Sequence, residues 1–435
     1  MNQPGVYLVH LAVMRLVGDG DLAWRLVDLA WLALTAVAIV AFARPWGAVA
    51  SWGAALAFAA YHLASGAWHA GQRDFMLSPF LVAGALGVAR WLEAARMRPA
   101  ALVQLALGGL ALGVAVTMKP HTVVLGAALA LVAALSRHRA PERAAGVAVY
   151  AGAAAVAPAA VLAWLASSGA LGAWWAIVRD YLLPLYSQLT RPDDWDVYRW
   201  GHWAPLALAV VVSLASAAVS RRWSPRHTVA VAGLGYGLVH FFGQRKGWEY
   251  HLYPLAVFAT LLAFSEIDRV LRTRAWAVAG PLVASLIAIV VLLGVKGVET
   301  VDAHWVWDKE RVVRLLTEDL RPHLGAGDTV QVLDTTEGGI HALLRLRRAP
   351  PTRFIYDFHF HHHVDTPTIQ RLRAEFVRDL AAHPPGAVVV FARGWPAGGY
   401  DRIDRFPELA ALLSASYDMV QERPAYTILA KRHRP

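Results

Sequence analysis

The sequence predicts an α-helical membrane protein of about ten spans, followed by a smaller α/β domain. Of its 435 residues, 57% are hydrophobic and only 17% are charged. A chain this apolar cannot bury its apolar surface in one soluble core. Apolar runs of about 20 residues, the length that crosses a bilayer core, recur along the N-terminal two thirds. Short arginine-rich segments separate these runs, as expected for a polytopic protein.

The apolar runs define the individual spans. A shorter apolar segment at residues 3–17 comes first, and we expect it to lie along the membrane surface because it is too short to cross. The ten predicted spans follow at 22–43, 47–67, 75–93, 101–118, 121–136, 145–166, 204–220, 227–243, 251–268 and 275–295.

The arginines predict the orientation of the spans. Basic residues in short loops mark the cytoplasmic face, so both chain ends should face outward. An outward N-terminus with no signal peptide ahead of it is difficult to make, and we therefore expect a further helix upstream of Met1. The loops assigned to the inner face contain Arg44, then Arg90, Arg96 and Arg98, then Arg137, Arg139 and Arg143, then Arg221, Arg222 and Arg226, and finally Arg269, Arg272 and Arg274.

The pattern changes near residue 300. Alternating strand-like and helical segments there predict an α/β domain at 300–435, after a transmembrane domain at 1–299. The predicted topology makes this second domain extracytoplasmic. Helical stretches are expected at 304–322, 366–382 and 404–416, and strands at Thr329–Leu333, Arg353–Tyr356, Ala387–Phe391 and Tyr426–Ala430.

Charge and cysteine content exclude several function classes. The net charge of +10 suggests nucleic acid at first sight, but much of it is inner-loop arginine. We therefore interpret it as a topology signal and as contact with anionic lipid headgroups, and expect no nucleic-acid partner. The chain has no cysteine, which excludes a disulfide framework, a thiolate nucleophile and a cysteine zinc site. The Ala/Arg/Gly bias suggests a bacterial inner-membrane protein.

Polar residues concentrate in three turns at the predicted outer ends of the spans. Ionisable groups at such positions are costly unless they meet water, a partner or a ligand, so three turns together predict a shared outward cavity. Other interpretations stay open: the lysines and Arg245 could reach headgroups, Asp74 could merely pair with Arg73, and the aromatic residues could form an interfacial belt. The turns contain Gln72, Arg73 and Asp74, then Lys119 and His121, and then Arg245, Lys246, Tyr250, His251 and Tyr253.

Three further patterns could bind a ligand. Asp194 and Asp196 form an Asp-x-Asp pair that could hold a divalent cation, although we favour a helix start after a proline, with acids in its first turn. His359 and 361–363 could bind zinc, but adjacent histidines in a strand point to opposite faces, so we expect no metal there. The turn 337–339 lies between a strand and a helix and weakly indicates a ligand-binding turn.

Several motifs in order resemble the GT-C glycosyltransferases. The segment 2–8, with Gly18 and Arg25-Leu26 after it, resembles the family's Lys-Pro-Pro-like turn, and Gln72-Arg73-Asp74-Phe75 resembles its second outer motif. Lys119-Pro120 and Tyr250-His251-Leu252-Tyr253-Pro254 resemble later family turns. The likeness covers about residues 2–268. Within the family, the sequence is most similar to the protein-mannosyltransferase-like and aminoarabinose-transferase-like branches. Gln3 stands where that family often has lysine.

The resemblance implies a GT-C-like bundle that transfers a sugar from a polyprenyl-phosphate carrier on the outer face. Lys119, Arg245 and Lys246 would neutralise the carrier phosphate, and the remaining polar residues would line the cavity. The family's proton-accepting carboxylate usually lies in the first outer loop, so we expect it either to be missing here or to be replaced by Asp74. A lipid or sugar transporter, or an inactive assembly protein, remains an alternative. The acceptor could be a glycan, a lipid or a protein.

Overall fold

The helices of the N-terminal part stand where the spans are predicted. A computed structural model of the chain describes residues 3–189, 203–301, 304–395 and 398–432. It divides into two compact units, Met1–Asp302 and Ala303–Pro435. The helices of the first unit are α1 Pro4–Leu16, α2 Asp21–Ala43, α3 Ala48–Leu63, α4 Arg73–Glu93, α5 Pro99–Met118, α6 Val123–Ala134, α7 Ala140–Ser167, α8 Leu171–Ile177, α9 Ala204–Val219, α10 Pro225–Gln244, α11 Tyr253–Phe264, α12 Ile267–Arg272 and α13 Trp276–Val301.

The length and apolarity of these helices fit a multi-pass membrane protein. Within the described ranges, five helices are long and apolar enough to cross a membrane: α2, α4, α5, α7 and the helix that begins at Trp276. Others, such as α3 and α9, are apolar but shorter. Helix α1 has 13 residues, in agreement with the prediction that this segment is too short to span.

Small residues let the helices pack closely enough to align their polar ends. A side chain at Gly109 of α5 would lie 2.4 Å from the Tyr150 carbonyl oxygen of α7, and one at Gly237 of α10 would lie 2.5 Å from the Leu255 Cα of α11. Close backbone approach at small residues is typical of membrane helix packing. The pairing of α10 with α11 sets the positions of polar residues at the end of one helix and the start of the other.

The second unit is a small α/β domain, as predicted. Its four-stranded sheet has the order β1-β2-β4-β3, with β1 and β2 parallel and the other pairs antiparallel. The apolar strand β2 is fully buried between two clusters of core side chains. The elements are α14 Trp305–Leu320, β1 Val330–Leu333, α15 Gly339–Leu346, α16 Pro367–Ala382, β2 Ala387–Phe391, α17 Asp401–Asp404, α18 Pro407–Ser416, β3 Tyr417–Glu422 and β4 Tyr426–Lys431.

One strand prediction in this unit is wrong and one strand was missed. Arg353–Tyr356 forms no strand. Phe354 is apolar because it packs in the core against Phe360 and Phe376. Its carbonyl accepts a hydrogen bond from the Gln331 side chain and not from a neighbouring strand. The missed strand is β3, which follows α18 directly. It is an edge strand with mostly polar or exposed side chains, so it lacks the apolar alternation that identifies strands.

Candidate functional site

Four segments of the first unit bring polar side chains to one buried carboxylate, Asp74. Asp74 is the second residue of α4 and is completely buried. Lys119 directly follows α5, and His240 lies in the last turns of α10. His251 lies in the 3-10 turn Glu249–Leu252 that leads into α11. Three of the predicted outer turns therefore do converge, joined by the end of α10.

The carboxylate oxygen Oδ1 of Asp74 contacts three nitrogen atoms. It lies 2.7 Å from His240 Nε2, 3.1 Å from Lys119 Nζ and 3.4 Å from His251 Nδ1. Lys119 Nζ also donates to Gln244 Oε1 at 3.1 Å. A buried charge is tolerated when an opposite charge and hydrogen bonds compensate it, and these contacts supply both. We call Asp74, Lys119, His240 and His251 the Asp74 cluster.

Two neighbours extend the cluster around His240. Its Nδ1 lies 2.9 Å from His121 Nε2 and 3.1 Å from the Tyr236 hydroxyl. Because Nε2 faces the Asp74 carboxylate, the proton of a neutral His240 belongs on Nε2 and Nδ1 accepts the hydroxyl proton. His121, predicted as a cavity residue, is thus held by the cluster.

Arg73 adds a second cation beside the cluster. Its Nε lies 4.0 Å from Asp74 Oδ2, and its guanidinium hydrogen-bonds to Tyr250. Two cationic side chains, Lys119 and Arg73, therefore face a single carboxylate. Such an arrangement has one positive charge in excess and can attract an anion.

The structure does not bring Arg245 and Lys246 to the Asp74 cluster. Lys246 Nζ instead donates to the carbonyl oxygens of Tyr186, at 2.6 Å, and of Leu189. Arg245 is exposed and has a φ of 50°, so the chain reverses there at the end of α10. Lys246 therefore lies against residues 186–189 and not against Lys119, which corrects the prediction that the three cations share one site.

Two other predicted cavity residues lie outside the cluster. Tyr253 belongs to a separate polar chain, with its hydroxyl 2.6 Å from His62 Nδ1 and 2.9 Å from His69 Nδ1. Gln72 precedes α4 and its Nε2 donates to the Trp68 carbonyl at 3.1 Å. Gln72 therefore serves the turn that carries Asp74.

Sequence reasoning missed His240, Asp28 and His62, the last two joined by a contact of 2.9 Å between Asp28 Oδ2 and His62 Nε2. Each lies inside a helix that was interpreted only as a membrane span. Histidine or aspartate within such a span is rare and expensive, and usually functional. That principle, applied to span interiors as well as to span ends, would have found all three.

The three other predicted ligand-binding motifs do not form a common site in the described residues. Asp194 and Asp196 lie outside the described residues. The turn 337–339 is not an open ligand site, because the Asp334 carboxylate already accepts the Glu337 and Gly339 amide protons, at 2.8 and 2.7 Å. In the run 359–363, His361 lies 3.7 Å from the Asp357 carboxylate. Among the described residues, metal-like spacing occurs only in the Asp74 cluster, where donor atoms of Asp74, His240 and His251 lie within 4.8 Å of one another.

Neither the protein-family models nor the curated proteins contain a match to this sequence. Solved structures do match. ArnT from Cupriavidus metallidurans, in its apo state, is 14% identical with a TM-score of 0.57, and the match covers 99% of this chain and 87% of ArnT. The same protein bound to undecaprenyl phosphate has a TM-score of 0.59, with the same identity and coverage.

A second solved structure gives the same answer. The archaeal oligosaccharyltransferase AglB from Archaeoglobus fulgidus, in complex with an inhibitory peptide and a dolichol-phosphate, is 11% identical with a TM-score of 0.52. That match covers 99% of this chain and 66% of AglB. At these identities the likeness establishes the fold. The chain therefore has the GT-C fold of ArnT and AglB, and the resemblance in the sequence motifs is confirmed at that level.

Proposed function

We propose that this chain is a membrane glycosyltransferase that moves a sugar from a polyprenyl-phosphate carrier to an acceptor on the outer face of a bacterial inner membrane. One observation carries the proposal: buried Asp74 faces two cations, Lys119 and Arg73, which leaves one positive charge in excess in a chain with the GT-C fold. ArnT, which has this fold, has been seen with undecaprenyl phosphate.

Lys119 is the proposed phosphate ligand. It lies before Pro120 at the start of a 3-10 turn that continues into α6, so the amide groups of that helix start add partial positive charge. Its ammonium group has three donors, and contacts with Asp74 and Gln244 account for two. The third is available to a phosphate oxygen, which would stabilise the leaving phosphate as negative charge develops on it.

Asp74 is proposed to orient the cluster. Its Oδ1 already faces Lys119, His240 and His251. A carboxylate whose charge is matched by so many donors is a weak proton acceptor. Of the two roles open from the sequence, base or orienting group, the contacts favour the second.

The Asp74 cluster is also our proposal for a divalent cation site. One carboxylate and two imidazoles match the ligand set of many catalytic zinc sites, which keep a fourth position open. Lys119 Nζ approaches the same carboxylate oxygen, however, and a cation would have to displace it. The donor set fits zinc only when Lys119 moves or loses its proton.

The test is carrier binding by two matched lysine variants. Lys119 and Lys246 are both buried, but only Lys119 contacts Asp74. Lys119→Met should weaken binding of a polyprenyl-phosphate sugar by roughly ten- to a hundredfold, the cost of one charged hydrogen bond. Lys246→Met should bind as wild type does. Equal affinity of wild type and Lys119→Met removes Lys119 from the site, and wild type that binds no carrier contradicts the proposed function.

A further inference from the structure

A lysine of α13 reaches the short turn that carries His251. The ammonium group of Lys296 is paired with the carboxylate of Glu249, which is the first residue of the 3-10 turn Glu249–Leu252. Both side chains are partly exposed. We call these two residues the Glu249–Lys296 pair. It joins the last helix of the first unit to the turn that precedes α11.

The end of α3 holds Lys296 in place. Its ammonium group also donates to the Ser65 hydroxyl at 3.0 Å, two residues after α3 ends. One turn further along α13, the Thr300 hydroxyl donates to the Ala64 carbonyl at 2.8 Å. These two hydrogen bonds fix α13 and its lysine against the same chain segment. The cation is therefore an anchored group, and it can determine where its carboxylate partner lies.

The turn that contains Glu249 depends on support from its neighbours. A 3-10 turn has poorer hydrogen-bond geometry than an α-helix and is correspondingly easier to deform. The Tyr61 hydroxyl donates to the Glu249 carbonyl, but over 3.5 Å, which is long for a hydrogen bond. The contact with Lys296 is an ion pair, and a hydrogen bond between two charged groups is roughly twice as strong as a neutral one. Lys296 is therefore the stronger of these two supports.

The next two residues of the turn contact the candidate site. Tyr250 hydrogen-bonds to the Arg73 guanidinium, and His251 Nδ1 lies 3.4 Å from Asp74 Oδ1. A 3-10 turn rises by about 2 Å per residue, so both residues lie within a few ångströms of Glu249 along the backbone. A displacement of Glu249 is consequently passed on to them. The contact of 3.4 Å is already long, and it tolerates little further displacement.

We propose that the Glu249–Lys296 pair is a positioning element for carrier binding: it holds the turn where His251 meets Asp74 and Tyr250 meets Arg73. This inference rests on the proposed function. Both residues of the pair act through the turn and do not touch the carrier. The geometry around the Asp74 cluster is then set in part by α13, a helix that supplies none of the four residues of that cluster.

The same contact could be an ordinary ion pair that stabilises the first unit slightly and leaves the site unaffected. A second pair of nearly equal exposure provides the control. Lys309 and Glu337 of the second unit lie 2.7 Å apart, with side chains 35% and 26% exposed, against 31% and 29% for Lys296 and Glu249. Glu249→Gln and Glu337→Gln each remove one charge and keep the shape of the side chain.

The first measurement is binding of a polyprenyl-phosphate sugar to the full chain in lipid nanodiscs. Glu249→Gln should weaken binding about tenfold, as expected when one charged hydrogen bond at the site is impaired. Glu337→Gln should bind as wild type does, and both variants should shift the unfolding midpoint equally little. Equal affinity of Glu249→Gln and wild type overturns the proposal. A much lower unfolding midpoint in Glu249→Gln than in Glu337→Gln also overturns it, in favour of a purely stabilising role.

Charge reversal tests whether the pair itself is responsible. Glu249→Lys places two cations together and should weaken binding at least as much as Glu249→Gln does. The double variant Glu249→Lys/Lys296→Glu restores an ion pair of opposite polarity and should recover most of the lost affinity. Recovery also excludes a direct role of the Glu249 carboxylate, because lysine then stands in its place. A double variant that binds no better than Glu249→Lys overturns the positioning role.

The last measurement does not depend on the carrier. Nitrogen-15 NMR of labelled histidine follows the His251 ring, whose signal is identified by its loss in His251→Gln. The signal should move in Glu249→Lys, return towards its wild-type position in the double variant, and stay unchanged in Glu337→Gln. A signal that does not move in Glu249→Lys, or does not return in the double variant, overturns the proposal. If the signal behaves as expected but wild type binds no carrier, the positioning of His251 is supported and the proposed function alone fails.

Discussion

Replacing Asp74 by asparagine should expose how strongly the cluster depends on charge. Asparagine keeps the shape of the side chain but removes the carboxylate that lies 3.1 Å from Lys119 Nζ. Lys119 is 7% exposed and would then be a buried cation without an opposite charge. Removing one partner of a buried ion pair typically costs about 3–5 kcal/mol. We therefore expect Asp74→Asn to lower the free energy of unfolding by about that amount.

The assay measures the free energy of unfolding of the purified chain in mixed micelles. It compares wild type, the single variants Asp74→Asn and Lys119→Met, and the double variant Asp74→Asn/Lys119→Met. Removing both charges should recover much of the loss, and the coupling energy should fall within the usual range of about 0.5–3 kcal/mol. Asp308→Asn is the control, since Asp308 pairs with Arg311 on an exposed helix face and such pairs contribute about 0–1 kcal/mol. A loss no larger than in Asp308→Asn, or strictly additive variants, would refute the reasoning.

The other predictions concern the metal, the second unit, helix packing and topology. Zinc should bind more tightly to Lys119→Met than to wild type in a chelator competition, because the lysine no longer occupies the carboxylate; the reverse order would remove zinc from the site. Burial lowers the pKa of His359 and of His361 to about 3, so both are neutral in the folded state. Their contribution to the free energy of unfolding is complete above the unfolded-state pKa of about 6.5 and declines as pH falls towards 3. At about pH 5 each histidine should have lost about 2 kcal/mol of that stabilisation. Hydrogen exchange of the β2 amides in the full chain should quicken accordingly, and a rate independent of pH after correction for intrinsic exchange would contradict this. Gly109→Val should destabilise the α5–α7 contact, because its side chain would meet a backbone carbonyl, whereas Gly152→Val, with open space around it, should not; equal unfolding curves would contradict the packing argument. A periplasm-dependent reporter enzyme fused to the C-terminus should be active, and activity only of a cytoplasmic reporter would reverse the predicted topology.

The helices were predictable because apolar length is a strong signal. Each predicted span coincides with a helix, and the α/β alternation after residue 300 is present. The edge strand β3 was not predictable in this way, since exposure on one side leaves Asp418 and Met419 without an apolar alternation. Periodicity therefore identified the buried elements and failed where burial is incomplete.

The site was predicted in outline only. Convergence of the turns at Asp74, Lys119 and His251 followed from the cost of placing ionisable groups at span ends. The direction of each side chain did not follow, because it depends on local backbone geometry. The positive φ of Arg245 is one case: it turns Lys246 towards carbonyl oxygens around residues 186–189. The spacing of residues in the sequence does not predict this reversal of the backbone at Arg245.

The turn before α11 supplies both polar networks from one short segment. Glu249 Oε2 lies 3.9 Å from His69 Nε2, His251 contacts Asp74, and Tyr253 contacts His62 and His69. In a 3-10 turn each residue advances by about 120°, so inserting or deleting a single residue would rotate the side chains away from their partners in both networks at once. The segment from 249 to 253 should consequently keep a constant length among proteins that share this activity, even where its individual residues change.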